Sequence, residues 1–291
     1  MTCHIWWRAT IKAQCSPLLQ RARGHFSLGV RGEGGRTMLS VLEQGGCSRL
    51  LFPRLPQRGE SASLEAVMVN VSGGVAAGDH LEGRVTLGAQ SDLLLTSQAH
   101  ERIYRARPED LPGSIAIHCN LAEKARLEWL PHGTIFFNGA RLERKMTVEM
   151  ASDARFLYYE SRIFGRRQSD EVMQSLTLRD HLFIRRDGVL ILRDSVILEE
   201  ARCDAFLARA AVTGGKAVTA TLVLVAPQAE DFLPILRESE QEHTGCFLAS
   251  SAWNGMMILR VLAERSWDLE CLMMKLLPVL REGRRLPSSW R

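Results

Sequence analysis

"HLFIRRDGVLILRD", residues 181–194, decides the fold. Two short runs rich in Leu, Ile and Val flank Asp187-Gly188. That dipeptide favours the φ > 0 geometry of a two-residue hairpin turn. The same texture extends outward, from about residue 25 to about residue 225. "RVTLGA" (84–89), "DLLLTSQ" (92–98), "SIAIHC" (114–119), "ARLEWL" (125–130), "MTVEM" (146–150), "ARFLYYE" (154–160), "QSLTLRD" (174–180) and "VTATLVLV" (218–225) are runs of the same kind. Gly88, Asp92, Asp153 and Gly214-Gly215 punctuate them. Many short strands at close spacing predict a mainly β architecture, one β-rich body over residues 23–291.

Helix is expected chiefly in the last third. "AEDFLPILRESEQE" (229–242) has the composition but carries Pro234. Residues 266–283 are the stronger case. Leu269, Leu272, Met273, Leu276, Leu277 and Leu280 fall on one face, a stripe read as core. Ser266 is placed to cap the start, Pro278 to interrupt the ladder, and Gly283 to close the end.

The composition is that of an ordinary globular chain: 291 residues, 46% hydrophobic and 24% charged, with a net charge of +4. Both signs are interspersed and no basic stripe stands out, so nucleic acid is not an expected partner. An acidic protein partner suits the charge. No apolar run is long enough to span a membrane. The seven cysteines are odd in number, scattered and without a C-x-x-C pair. They fit a reducing cytoplasm and buried thiols better than a disulfide framework. Residues 1–22 contain no acid but include Arg8, Lys12 and Arg21. They read as a flexible basic extension, with a transit peptide as the alternative.

Chemistry is harder to find. "NVSGGVAAGDHL" (70–81) is glycine-rich, but it ends in Asp79-His80 where a phosphate loop needs Lys-Ser/Thr. It reads as a tight turn through Gly73 and Gly74. Its functional alternative is that Asp79 and His80 face a metal or partner. "LTSQAHERIYRARPED" (95–110) carries Glu101 as a dispersed carboxylate, with Tyr104 and Arg105 as interface types. "LEWLPHGTIFFNGARLER" (127–144) gathers Glu128, Trp129, His132, Phe136, Phe137 and Arg141. No histidines stand in H-x-H or H-E-x-x-H spacing, and no serine sits in a G-x-S-x-G elbow.

"NVSGGVAAGD", "TSQAHERIYR" and "LEWLPHGTIFFNGARL", in this order, resemble the UreD (UreH) family of urease accessory proteins. "RRDGVLILRD" and "LREGRRLPSSWR" are similar to that family as well, and the likeness runs from about residue 22 to 291. Ala77 stands where a further glycine is usual, and His132-Gly133 replaces the commoner Gln-Glu. The resemblance implies a layered, helically wound β fold with a few helices. It implies a non-enzymatic scaffold and metallochaperone for nickel insertion into urease. Its partners would be apo-urease subunits, a UreF-like protein and, through it, a UreG-like GTPase. No tightly bound cofactor is implied, only transient Ni²⁺. On that reading Asp79, His80, Glu101, Glu128 and His132 line a metal route, while Tyr104, Arg105, Trp129, Phe137 and Arg141 build a docking face. Two alternatives remain: a metal-dependent hydrolase using convergent His and Asp residues, and a β-rich binding module unrelated to urease.

Overall fold

The computed structural model describes residues 20–53, 63–107, 109–166, 171–239 and 245–290. The expectation for residues 1–19 lies outside them. Arg21 and Ala22 belong to the body: Arg21 pairs with Asp110 at 3.3 Å, and the Ala22 amide donates to Asp79 Oδ1 at 2.7 Å.

Along the chain the first strands are β1 (Arg23–Glu33), β2 (Arg36–Gly46), β3 (Ser48–Leu51), β4 (Leu64–Asn70), β5 (His80–Leu87) and β6 (Asp92–Ser97). There follow β7 (Glu101–Ile103), β8 (Gly113–Leu121), β9 (Arg126–Leu130), β10 (Thr134–Phe136), β11 (Arg141–Met150) and β12 (Arg155–Phe164). The last five are β13 (Leu176–Arg186), β14 (Val189–Glu200), β15 (Val218–Val225), β16 (Cys246–Trp253) and β17 (Met256–Ala263). Helices α1 (Cys203–Leu207), α2 (Leu233–Ser239) and α3 (Ser266–Leu280) complete the set.

Two sheets result. A seven-stranded sheet, hereafter the outer sheet, has the order β14-β13-β11-β8-β5-β1-β2, and a ten-stranded inner sheet holds the rest. In the middle of the chain successive long strands alternate between the two. β5, β8, β11 and β13 pair in parallel in the outer sheet. β4, β6, β9 and β12 pair in parallel in the inner one. The chain therefore winds as a two-layered coil, which is the layered, helically wound form the family resemblance implied. Parallel neighbours cannot be joined by a tight turn; here each crossover is made through the opposite sheet.

The side-chain pattern explains the layering. β5 alternates buried and outward residues, as a strand with one wet face must. β12 and β15 are buried almost throughout, because the main core lies on one face of the inner sheet and α3 covers the other. The α3 stripe Leu269, Leu272, Met273, Leu276, Leu277 and Leu280 is buried, as the periodicity predicts. Among the described residues no helix is long and apolar enough to cross a membrane.

The hairpin at Asp187-Gly188 forms as read, with φ of 50° and 77°. Three details of the last third go beyond or depart from the sequence reading. Residues 246–263 are a second hairpin, β16–β17, turning on Asn254-Gly255 with φ of 51° and 69°. Helix α3 begins without a serine cap. Arg265 occupies the cap position in extended conformation, and its guanidinium pairs with Asp268 at 2.7 Å. The described part of the 229–242 segment, up to Ser239, divides into a 3₁₀ turn and α2, which places Pro234 in a first turn, where its missing donor costs nothing. The described cysteines are all free; Cys47, Cys119, Cys203 and Cys246 are buried.

Candidate functional site

A cavity of about 360 Å³ lies between the sheets, and both apolar and charged groups face it. Its mixed lining follows from the strand order. β11 and β13 of the outer sheet project Arg144 and Asp180 inward, while β12 of the inner sheet supplies Glu160. Arg144 donates two bonds to Asp180, at 2.9 and 2.6 Å, and one to Glu160 at 2.7 Å. Arg162 binds the same Asp180 from the facing sheet at 2.8 Å. Thr134 completes the set by donating to Glu160 at 2.9 Å. Burial works against a charge on Asp180, but Arg144 and Arg162 overcome it and hold the carboxyl below the usual range.

Glu101 differs from these acids. It lines the same cavity, yet its side chain receives only the Asn70 amide, at 3.3 Å to each oxygen, and the Arg102 backbone N–H at 3.1 Å. No cation among the described residues is bonded to it. Burial accordingly pushes the Glu101 carboxyl up from its ordinary value. Beside it stands His100, whose pKa burial lowers to about 4, with His132 and Arg102 adding to the effect. The imidazole is therefore neutral at pH 7 and able to ligate a metal.

The other candidates fall elsewhere. Asp79 is buried, and its two oxygens accept the backbone N–H groups of Ala22 and Ala76 at 2.7 and 2.8 Å. It ties the start of β1 to the glycine-rich turn. There Gly74 has φ 151°, and an added Cβ would lie 2.4 Å from the Tyr104 ring. His80 sits on the outer sheet, its Nδ1 2.6 Å from Ser114 Oγ. Glu128 and Trp129 alternate along β9, and both are buried because both faces of β9 are covered. Trp129 lies in the main core, so it presents little surface for docking. Glu128, 1% exposed, meets Arg281 at 2.8 Å and Arg126 at 3.5 Å.

His132 belongs to a third arrangement, a small void beneath the C-terminal segment that shares His100 and Gly133 with the large cavity. The His132 ring stacks on Trp290 with centroids 5.4 Å apart, and its Nε2 lies 2.9 Å from the Ser289 carbonyl oxygen. Trp290 donates to the Leu130 carbonyl, and Ser288 donates its N–H and hydroxyl to the buried Glu65. The segment after α3 thus clamps the inner sheet.

Four interface candidates do come together. Tyr104 meets Phe137 edge-on at 5.3 Å and donates to the Gly73 carbonyl. Arg105 bridges Ala140, and Arg141 donates to the Asp110 carbonyl. They form one rim beside the glycine-rich turn. Sequence reasoning passed over Arg144 and Asp180 because each sits inside an ordinary strand run. Their only sequence signal is a charge at an inward position. Among the described residues no group of three or more His, Cys, Asp or Glu is placed to hold a metal.

The profile of the family described as UreD urease accessory protein matches residues 22–291. A protein of Methylobacterium sp. (strain 4-46) named urease accessory protein UreD is 38% identical, over 94% of this chain and 96% of its own. Homologues of the same name from Dinoroseobacter shibae and Sinorhizobium medicae are each 36% identical, covering 95% and 93% of this chain and 94% and 96% of theirs.

Proposed function

The chain belongs to the family of UreD urease accessory proteins, and from that premise we propose that it is a non-catalytic scaffold of urease maturation through which nickel reaches apo-urease. It binds apo-urease together with a UreF-like protein, which recruits a UreG-like GTPase. The observation that carries the metal part of this reading is Glu101, a half-buried cavity carboxylate with no guanidinium bonded to it. Glu160 and Asp180 are already neutralised by Arg144 and Arg162. Glu101 has a charge left over for an incoming cation, and the neutral His100 beside it offers a second donor.

Such a pair suits a passage. Two donors and the water in a cavity attract a divalent ion, whereas a closed set of four would retain it. Asp79 and Glu128 are spoken for by backbone amides and by Arg281, so the route is drawn through Glu101 and His100 instead. No specific observation favours the hydrolase alternative.

The test is Glu101→Gln, co-expressed with urease and the accessory proteins at limiting nickel. The change keeps the amide-sized shape and its contact with Asn70 while removing the charge. A unit charge acting at about 4 Å in a partly polar interior contributes a few kcal/mol, so nickel delivered per urease should fall about tenfold or more. Capture of the partners should be unchanged. Wild-type nickel content in the variant would remove the cavity from the route.

A further inference from the structure

The outward face of the outer sheet is bare among the described residues: α2 and α3 pack on the inner sheet, and α1 lies in the cluster with the inward Leu198 of β14. Near its β14 edge, Phe183 on β13 is ringed by cationic and imidazole groups. Lys145 Nζ lies 5.5 Å from the ring centroid, the Arg193 guanidinium 5.7 Å, and the His181 ring 6.0 Å. Register puts His118, Thr147, Phe183 and Arg193 in one row across β8, β11, β13 and β14. Ile197, 56% exposed, extends the apolar part along β14.

The described acids on the outward face of these strands are already matched. Glu143 and Glu199 both bind Arg179, and Glu149 binds Arg185. Lys145 and Arg193 have no carboxylate partner among the described residues, so a local positive charge surrounds a half-buried aromatic ring. Aromatic groups flanked by charge are characteristic of recognition surfaces, and unpaired cations select an acidic counterpart. A face several strands wide, with strands about 4.8 Å apart, suits a broad folded surface rather than a single helix or an extended peptide.

We propose that the Lys145–Phe183–Arg193 face docks an acidic surface of apo-urease, with a partner carboxylate seated between the two cations and an apolar group on the ring. This rests on the reading of the chain as a urease scaffold and names where the urease sits. The rim at Tyr104, Arg105, Phe137 and Arg141 is left for the other accessory proteins.

The experiment co-expresses the full chain with urease and the accessory proteins and captures it at rising salt. The Lys145→Glu/Arg193→Glu variant should capture urease at least tenfold less while retaining the UreF-like partner, and Phe183→Ala should lie between. Lys145→Gln/Arg193→Gln, which adds no repulsion, should lose the salt dependence seen in wild type. Unchanged urease capture, or loss of the UreF-like partner instead, overturns the assignment. So does reversal-sensitive binding of the isolated chain to duplex DNA or RNA, which would make the patch a phosphate surface. If the reversal leaves capture intact while Glu101→Gln still lowers nickel, the docking face falls and the scaffold reading stands. If wild type captures neither partner, both fall.

Discussion

Asp180→Ala is expected to cost about 3–5 kcal/mol of stability, the usual effect of stripping one partner from a buried ion pair. Asp180 is 4% exposed and holds Arg144 of its own sheet and Arg162 of the facing one. Removing it strands the buried Arg162 guanidinium and leaves Arg144 with Glu160 as its sole carboxylate. Against a typical total of about 5–15 kcal/mol, that is enough to leave much of the protein unfolded. Asp180→Asn keeps the shape but not the charge and should fall between the two. The pH sign follows from linkage. The folded carboxyl titrates below its unfolded value of about 3.9, so its stabilisation is fully present above that value and is lost as pH falls through the range beneath it. Denaturant unfolding between about pH 6 and pH 3 should therefore show wild type losing the Asp180 contribution only below about pH 4. In that window the Asn variant should vary less. A loss of under about 1 kcal/mol in the Ala variant would show that the cluster is solvated rather than locked.

Arg281→Met should be nearly as damaging, about 3 kcal/mol or more, for a related reason. It leaves Glu128 inside the protein with only the more distant Arg126. The consequence should be local before it is global: the segment after α3 loses its anchor and becomes susceptible to protease. Cleavage after residue 280 would report this directly. Adding Glu128→Gln removes the stranded charge, so the double variant should recover part of the loss. A double-mutant cycle with no coupling between the two positions would contradict the pairing.

Much of the fold was legible because a β hairpin announces itself locally. Asp187-Gly188 could be read from two residues and their flanks. Asn254-Gly255 carried the same signal, yet the apolar "MMILRVLA" beyond it merges with the helical stripe of residues 266–280 when only hydrophobicity is followed. The winding of the coil was not local. Nothing in β5 or β8 says that their link passes through the other sheet; only the family resemblance carried that. The site was less legible still. Glu101 was picked out as a carboxylate in a polar stretch, but its distinction is the absence of a guanidinium, and that depends on where Arg144 and Arg162 point. Glu128 looked like a metal-facing acid because its partner lies 153 residues away, on the far side of α3.

That last separation bears on timing. Glu65, Thr96, Glu128 and Leu130 are made early, but their partners Ser288, Ser289, Arg281 and Trp290 are made late. While the chain is still being synthesised, two carboxylates destined for the interior must wait in water, and the inner sheet has no clamp at that end. The β coil can assemble strand by strand as it emerges, yet the finished body exists only after residues 281–290 have been made and have reached the inner sheet. A partner that recognises the completed inner sheet is therefore met only by chains that already carry residues 281–290.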